Sequence, residues 1–216
     1  MNKDAVLSQI LSGKIVAIIR GALPEDVVKI ANALYEGGVK CLEVTLNSPN
    51  ALYAIESIAK KMEGRLLVGA GTVLTAVEAH AAINAGAKFI ISPILSAEVI
   101  EATRQAGAVS IPGAYTPTEI FNAFTSGGDI IKVFPGSAGP GFIKEVLAPL
   151  PHIPLMPTGG ISIDNIETFK KAGAVAFGIG KSLVDTSQKV NDKYLQEIVS
   201  NAKRFMQALN HEPVNE

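Results

Sequence analysis

The sequence of 216 residues has a single cysteine, only three histidines and almost no excess of either charge. One cysteine, Cys41, excludes an internal disulfide bond, and this favours a reducing compartment. The histidines, at positions 80, 152 and 211, are too scattered for the spacing of a metal site. A formal net charge of −1 provides no electrostatic reason to expect a nucleic-acid partner.

Long hydrophobic runs are also absent, since none approaches the roughly 20 apolar residues that a membrane helix needs. The first residues, Met-Asn-Lys-Asp-Ala-Val-Leu, lack the pattern of a signal peptide. We therefore expect a soluble, cytoplasmic protein with no membrane partner. Hydrophobic residues make up 48% of the chain, which argues against disorder and allows one large domain with a substantial core.

Short apolar segments recur at nearly even intervals and alternate with segments of helical spacing. Eight such repeats are typical of a (β/α)8 TIM barrel, a closed ring of parallel strands surrounded by helices. A doubly wound open sheet is the alternative, but eight even units in so short a chain fit closure better. The predicted strands are residues 15–20, 41–45, 66–70, 89–92, 109–111, 130–133, 155–156 and 175–179.

The whole chain, residues 1–216, is predicted to be a single barrel domain without a linker. The barrel occupies about residues 14–184, and an amphipathic segment near residues 5–11 is predicted to cap its bottom as an N-terminal helix. A C-terminal helix is predicted at about residues 194–209, followed by a frayed tail at residues 211–216.

Three helix starts are marked by local motifs. Thr75-Ala-Val-Glu78 and Thr116-Pro-Thr-Glu119 have the pattern of capping boxes, the second with proline at the first helical position. Ser48-Pro49 carries a similar start signal.

Lys132 is the most informative residue, because it lies in the sixth predicted strand, within Asp129-Ile-Ile-Lys-Val-Phe-Pro135. Strand alternation places Lys132 on one face with Ile130 and Phe134. A lysine in an apolar strand is costly unless its charge is paired or given up. A neutral amine is a nucleophile toward carbonyl groups. We therefore expect the pKa of Lys132 to lie below the ordinary value of about 10.4.

Glu43 is the second charged residue in an otherwise apolar strand. Alternate strands fill the same interior layers of a barrel, so Glu43 and Lys132 can face one another. A buried structural ion pair is the alternative interpretation, but such pairs stabilise little after desolvation, which favours a functional pair. An ionised Glu43 in direct contact would keep the lysine charged. We therefore expect Glu43 to be protonated part of the time or to act through a water molecule.

The carboxyl ends of the strands are where barrels of this kind carry their active sites. Gly159, Gly160 and Gly180 follow the seventh and eighth predicted strands, where bare backbone N–H groups can bind a phosphate, although they could also simply turn the chain. Lys181 would add a positive charge there or could be an ordinary solvated lysine. Seven other residues are candidates at this end: Arg20, Thr45, Asn47, Thr72, Pro93, Phe134 and Thr158.

Seven motifs together resemble the 2-keto-3-deoxy-6-phosphogluconate (KDPG) and 4-hydroxy-2-oxoglutarate (KHG) aldolase family. The resemblance extends from about Lys14 to Val184, with every motif in the expected order. The motifs are Leu42-Glu-Val-Thr45, Gly69-Ala-Gly-Thr-Val73, Ile91-Ser-Pro93, Ile111-Pro-Gly113, Thr116-Pro-Thr-Glu119, Lys132-Val-Phe-Pro135 and Pro157-Thr-Gly-Gly160.

The resemblance implies a class I aldolase of carbohydrate metabolism, in the Entner–Doudoroff route, that uses neither metal nor cofactor and is usually a homotrimer. Its substrate is a 2-keto-3-deoxy-6-phospho sugar acid, cleaved to pyruvate and glyceraldehyde 3-phosphate, with 4-hydroxy-2-oxoglutarate as a further substrate. The galactonate counterpart of KDPG is an alternative substrate. A different phosphate-binding enzyme, such as an epimerase or decarboxylase, and a non-catalytic anion-binding barrel are the rival interpretations.

Roles for individual residues also follow from the resemblance. Lys132 is implied to be the Schiff-base lysine and Glu43 the general acid/base. The pyruvyl pocket is implied to be lined by Thr72, Pro93 and Phe134, with Thr158 beside it. The phosphate is implied to lie at the two glycine loops.

Three positions depart from the family pattern. Asn47 stands where many members have an arginine near the substrate carboxylate, a contact that Arg20 could supply instead, as in one branch of the family. Lys181 replaces a common serine, and Ile94 replaces a common glycine. These departures leave the chemistry intact but leave the exact substrate open.

Overall fold

A computed structural model describes residues 1–210, in which strands and helices alternate along the chain. The strands are β1 (Ile15–Ile19), β2 (Cys41–Thr45), β3 (Leu67–Gly71), β4 (Phe89–Ile91), β5 (Val109–Ile111), β6 (Gly113–Ala114), β7 (Ile131–Val133), β8 (Leu155–Pro157) and β9 (Phe177–Ile179). The helices are α1 (Lys3–Gly13), α2 (Val27–Glu36), α3 (Ala51–Lys61), α4 (Ala76–Asn84), α5 (Ala97–Gln105), α6 (Pro117–Thr125), α7 (Gly139–Leu147), α8 (Ile166–Lys171) and α9 (Asp192–Asn210). None of these helices is long and apolar enough to cross a membrane.

The strands pair in parallel and form two sheets. The larger sheet has the order β5-β4-β3-β2-β1-β9, and the smaller has the order β6-β7-β8. Pro112 separates β5 from β6, because proline has no N–H to donate to a strand ladder. At the other junction a single parallel bridge joins Thr158 to Gly178. The fold is therefore a parallel α/β arrangement. Instead of the expected continuous ring of eight strands, the structure shows nine shorter strands, six in one sheet and three in the other.

The two faces of the strands contribute to two different hydrophobic clusters. Leu42 and Val44 of β2 belong to the cluster that includes the helix side chains. Cys41 of the same strand, with Phe89 of β4 and Met156 of β8, belongs to a second cluster inside the strands. Strands buried on both faces are expected to be apolar along their whole length. Burial raises the pKa of the Cys41 thiol to about 12, so this side chain packs as a small hydrophobe.

Helix α1 closes the end of the molecule at which the strands begin. Val6 and Ile10 belong to the inner cluster. The Lys3 Nζ lies 2.7 Å from the Asp129 carboxylate, just before β7. The other Asp129 oxygen accepts a hydrogen bond of 2.8 Å from the Ser110 N–H. The predicted capping helix is therefore confirmed, and it is fixed to two neighbouring strands.

Of the three helix starts predicted from sequence motifs, two agree with the structure and one does not. The capping boxes at Thr75 and Thr116 are both present. The start signal at Ser48 is wrong, because the α3 N-cap is Asn50. The Ser48 hydroxyl instead contacts the Gly21 N–H in the loop after β1 and the Thr45 hydroxyl at the end of β2. The predicted tail at residues 211–216 lies outside the described residues.

Candidate active site

Lys132 extends from β7 into the space inside the strands. Its backbone N–H donates to the Pro112 carbonyl at 2.9 Å, which fixes the strand position. Its side chain is only 3% exposed. The amine nitrogen lies 5.0 Å from the centre of the Phe134 ring, on the same face of the chain. Phe134 is itself partly exposed.

Glu43 is the second buried charged group, and glycine makes room for it. The residue is 1% exposed. A Cβ atom at Gly71 of the neighbouring strand β3 would lie 2.3 Å from the Glu43 Oε2, so the carboxyl group packs against bare backbone. Among residues 1–210, Oε2 has no hydrogen-bond partner. A buried polar atom of this kind is rare and indicates a group available to a ligand.

Within the described residues Lys132 and Glu43 form no direct ion pair, but each affects the pKa of the other. Burial lowers the pKa of Lys132, an effect that Glu43 opposes and Arg20 reinforces. Burial raises the pKa of Glu43 against the opposing influence of Lys132 and Arg20. Both shifts have the directions that the sequence predicts. Burial therefore favours the neutral amine of Lys132 and the protonated carboxyl group of Glu43 over their charged forms.

A cavity of about 710 Å³ opens beside Lys132. Its lining includes eight residues that the sequence places at the site: Arg20, Lys132, Phe134, Thr158, Gly159, Gly160, Gly180 and Lys181. Five predicted residues lie outside that lining: Glu43, Thr45, Asn47, Thr72 and Pro93.

These five residues differ in their surroundings. Glu43 and Thr45 are buried in β2, and the Thr45 hydroxyl lies 3.0 Å from that of Ser48. Asn47 is exposed. Thr72 has a left-handed backbone with φ of 57°, an uncommon conformation for a residue with a Cβ. Pro93 packs against Gly113, where a Cβ would lie 2.4 Å from the proline carbonyl carbon.

The two glycine loops lie at one end of the cavity. Gly159 and Gly160 both have positive φ, at 90° and 74°. Gly159 directly follows Thr158, which forms the parallel bridge with Gly178. Lys181 is 81% exposed at its side chain, and its Nζ lies 3.8 Å from the Asp185 carboxylate. Successive glycines with positive φ beside a lysine can present backbone N–H groups and a positive charge to an anion.

Within residues 1–210 no cluster of three or more histidine, cysteine, aspartate or glutamate side chains is arranged to hold a metal ion.

The model of the family described as "KDPG and KHG aldolase" matches residues 6–200, which is most of the chain. The chain belongs to the KDPG and KHG aldolase family. It is accordingly a carbon–carbon lyase of the class I aldolase type.

Named relatives in this family are similar over most of their length. The "Probable 2-dehydro-3-deoxy-6-phosphogalactonate aldolase" of Rhizobium meliloti (strain 1021) is 34% identical over 82% of this chain and 85% of that protein. The "2-dehydro-3-deoxy-6-phosphogalactonate aldolase" of Escherichia coli (strain K12) is 32% identical over 90% of this chain and 96% of that protein.

Solved structures agree with this assignment. One described as "Native KDPGal structure" has a TM-score of 0.85 and 31% identity, covering 90% of this chain and 93% of the other. KDPG aldolase from Legionella pneumophila, solved with "pyruvate captured at low pH as a covalent carbinolamine intermediate", has a TM-score of 0.75 and 26% identity, covering 94% of this chain and 95% of the other.

Some residues that shape the candidate site were not among the site residues predicted from the sequence. Gly71 and Gly178 are interior strand positions that admit the side chains of Glu43 and Thr158. A glycine inside a strand often marks such a close approach, and that signal could have identified both. Ser48 and Thr186 connect loops through their hydroxyl groups, and no local pattern indicates those contacts.

Replacement of Gly71 by alanine tests the packing of the carboxyl group. The new Cβ displaces the Glu43 carboxyl, the mobile end of its side chain. We expect kcat of the aldolase to fall on the order of 10- to 100-fold, because misplacement of a reacting group by about 1 Å has effects of that size. Steady-state kinetics and thermal unfolding should be measured together. Gly141→Ala is the matched control, since a Cβ there meets nothing within 4 Å. An unchanged kcat in Gly71→Ala would show that the Glu43 position is unimportant.

Proposed function

We propose that this aldolase cleaves a 2-keto-3-deoxy-6-phospho sugar acid to pyruvate and glyceraldehyde 3-phosphate. The observation that carries the proposal is the buried Lys132 amine, whose pKa burial lowers, at the wall of a cavity that ends in two glycine loops. The amine supplies a nucleophile, and the loops supply a place for the phosphate.

The proposed reaction begins with attack of the Lys132 amine on the C2 carbonyl of the keto acid. Loss of water from the resulting carbinolamine leaves an iminium ion. Removal of the C4 hydroxyl proton then breaks the C3–C4 bond, and the electron pair moves into the iminium to form an enamine. The aldehyde leaves at this stage. Protonation of C3 and hydrolysis release pyruvate and restore the amine.

Glu43 is the proposed proton carrier for these steps. Several successive transfers are needed, and one carboxyl group with a raised pKa can both accept and donate near neutral pH. Its unpartnered Oε2 points to a group that completes its hydrogen bonding with substrate or a mobile water molecule.

The ends of the substrate have different proposed partners. Arg20 pairs with the keto-acid carboxylate, and Asn47, although exposed, stands at the position from which the family's arginine would act. Gly159, Gly160, Gly180 and Lys181 hold the phosphate. Phe134 keeps water from the amine. Four further residues are proposed to line the keto-acid end and orient the substrate: Thr45, Thr72, Pro93 and Thr158.

Further proposals concern the closure of the barrel, the number of domains and the assembly. We propose that the two sheets form one closed (β/α)8 barrel within a single domain of residues 1–216. The pairing of β1 with β9 supports closure, because it joins the first and last strands. A homotrimer, the Entner–Doudoroff role and a cytoplasmic location stay predictions, the first two from the family resemblance.

A pyruvate-release assay tests the proposed activity. We expect release from KDPG or from its galactonate counterpart, which differs in the configuration of one hydroxyl group, and slower release from 4-hydroxy-2-oxoglutarate. EDTA should leave the rates unchanged. Binding of these acids without any pyruvate release would instead support the non-catalytic barrel, and loss of activity with EDTA would exclude a purely amine-based mechanism.

Lys181→Ser tests the phosphate end. We expect KM for a phosphorylated substrate to rise roughly 2- to 5-fold, a modest change because an exposed charge is screened by solvent. KM for unphosphorylated 4-hydroxy-2-oxoglutarate should hardly change. Lys193→Ser, a change of an exposed lysine in α9, is the control. Equal effects of Lys181→Ser on both substrates would remove Lys181 from the phosphate site.

A further inference from the structure

The backbone at Arg20 is held by hydroxyl groups from two different loops. The Arg20 carbonyl accepts a hydrogen bond from the Thr186 hydroxyl, in the loop after β9. The next N–H, that of Gly21, donates to the Ser48 hydroxyl at 2.8 Å, in the loop after β2. Arg20 itself directs an exposed side chain to the cavity lining. The contacts before and after the residue therefore limit where its guanidinium group can lie.

The Ser48 contact is built into the protein interior. Ser48 is 8% exposed, and its hydroxyl also lies 3.0 Å from the Thr45 hydroxyl, while its N–H donates to the Thr45 carbonyl at 2.9 Å. Thr45 is two residues from Glu43 on β2 and on the same strand face. The loop that carries Arg20 is thus connected to the strand that carries the proposed proton carrier.

Thr186 provides the second connection, from the opposite side. It lines the cavity together with Arg20 and with Lys181 and Asp185. Gly21 has a left-handed φ of 76°, and a Cβ there would lie 3.9 Å from the Thr186 hydroxyl oxygen. The two loops therefore meet closely at this turn, and the hydroxyl contact fixes their spacing.

We propose that Ser48 and Thr186 are positioning residues that fix the guanidinium group of Arg20 relative to the catalytic pair Lys132 and Glu43. This inference rests on the proposed function for the roles of that pair. According to this proposal, two loop hydroxyl groups control the position of the Arg20 charge beside the reaction centre. Neither hydroxyl takes part in the amine chemistry.

The charge of Arg20 affects both members of the pair. It lowers the pKa of Lys132 beyond the effect of burial, and it opposes the rise that burial causes in the pKa of Glu43. Glu43 is the other charged group that acts on the Lys132 amine, and Lys181 and Asp185 complete the charged lining of the cavity. Because Coulomb interactions weaken with distance, movement of Arg20 away from the pair must raise both pKa values.

Two disruptive and two conservative variants test the proposal. Ser48→Ala and Thr186→Val remove the hydroxyl groups, whereas Ser48→Thr and Thr186→Ser retain them. Arg20→Met shows how far the Lys132 profile shifts when the Arg20 charge is lost completely. The probe is cyanate, a small reagent that carbamylates only neutral amines. Its rate at Lys132 is followed by peptide mass across a range of pH, with exposed Lys88 as the internal reference.

We expect the carbamylation profile of Lys132 to move to higher pH in Arg20→Met. The same direction with a smaller shift is expected in Ser48→Ala and Thr186→Val, and the conservative variants should retain the wild-type profile. Ser48→Ala should add no shift in the Arg20→Met background, because the two changes act through one group. An unshifted Ser48→Ala or Thr186→Val, an unshifted Arg20→Met, or additive shifts in the double variant would each overturn the proposal.

Kinetics provide a second readout in the active enzyme. KM for the keto acid should rise on the order of 3- to 10-fold in Ser48→Ala, the size of effect that one hydrogen bond has, and Ser48→Thr should restore it. An unchanged KM would contradict the positioning role. If the wild-type protein released no pyruvate from any of the three substrates, the proposed function would fail, but the cyanate profile would still decide the role of the two hydroxyls.

Discussion

Replacement of Lys132 by methionine is expected to abolish pyruvate release, with a fall in kcat of at least about 10⁴-fold, because loss of a covalent nucleophile has effects of that size. Methionine fills a similar volume in the buried space without an amine. Steady-state kinetics on the preferred substrate measure the loss, and circular dichroism checks that the fold is retained. Lys88→Met, which changes an exposed lysine at the opposite ends of the strands, is the control and should retain full activity.

Chemical trapping separates a covalent role of Lys132 from a binding role. Borohydride with pyruvate should leave a stable adduct on Lys132 of the wild-type protein, identified by peptide mass. The methionine variant should gain no mass under the same conditions. An unmodified wild-type protein would reject the Schiff-base mechanism even if Lys132→Met were inactive.

The same substitution should change stability in a pH-dependent way. Burial lowers the folded-state pKa of Lys132 below its ordinary 10.5. Between these two values the unfolded chain binds the proton and the folded chain does not, so stability rises with pH in that window. The buried amine is therefore most destabilising at and below the folded-state pKa. We expect Lys132→Met to unfold at a higher temperature than wild type near neutral pH, and the difference to fade toward pH 10.5.

Glu43→Gln is expected to lower kcat by about 10²- to 10⁴-fold, the range found for loss of a general acid/base. KM should change little, because glutamine has nearly the shape of glutamate but cannot transfer a proton. Steady-state kinetics across pH 5–9 provide the measurement. The slow steps of the variant should be the proton transfers, so exchange of the pyruvate methyl protons with deuterated solvent should slow by a similar factor.

The control for this variant is Glu145→Gln, on an exposed position of α7. It should match the wild type in kcat and in exchange rate. If Glu43→Gln raised KM and left kcat unchanged, Glu43 would be a binding residue, and the proton carrier would have to be sought elsewhere in the cavity.

The main features of the site could be predicted because they violate local rules. A lysine and a glutamate in apolar strands conflict with the hydrophobic pattern around them, so Lys132 and Glu43 stand out without any knowledge of the fold. The capping boxes at Thr75 and Thr116 are equally local, since all their contacts lie within four residues. Strand alternation also separated the two faces around β7 correctly, since Ile130, just before β7, belongs to the inner cluster and Ile131 to the cluster with the helices.

The remaining features depend on contacts between distant parts of the chain. The Thr186 hydroxyl and the Arg20 carbonyl are 166 positions apart, and Ser48 and Gly21 are 27 apart. No periodicity in the sequence indicates which loop residues will meet across such separations. Ser48 shows the consequence, because its local sequence predicts a helix start and its tertiary contacts use the hydroxyl elsewhere.

Helix α1 has a consequence for the order of events in the proposed reaction. Val6 and Ile10 fill the interior at the end where the strands begin, and Lys3 fixes the helix beside β7. Substrate and products therefore have to enter and leave at the other end, where Phe134 lies. In the proposed reaction the pyruvyl fragment stays bonded to the Lys132 amine after the C3–C4 bond breaks, whereas the aldehyde is then free. The aldehyde must therefore depart before pyruvate can be released, and in the synthetic direction pyruvate must enter first. Product-inhibition patterns should accordingly be those of an ordered mechanism with pyruvate as the last product.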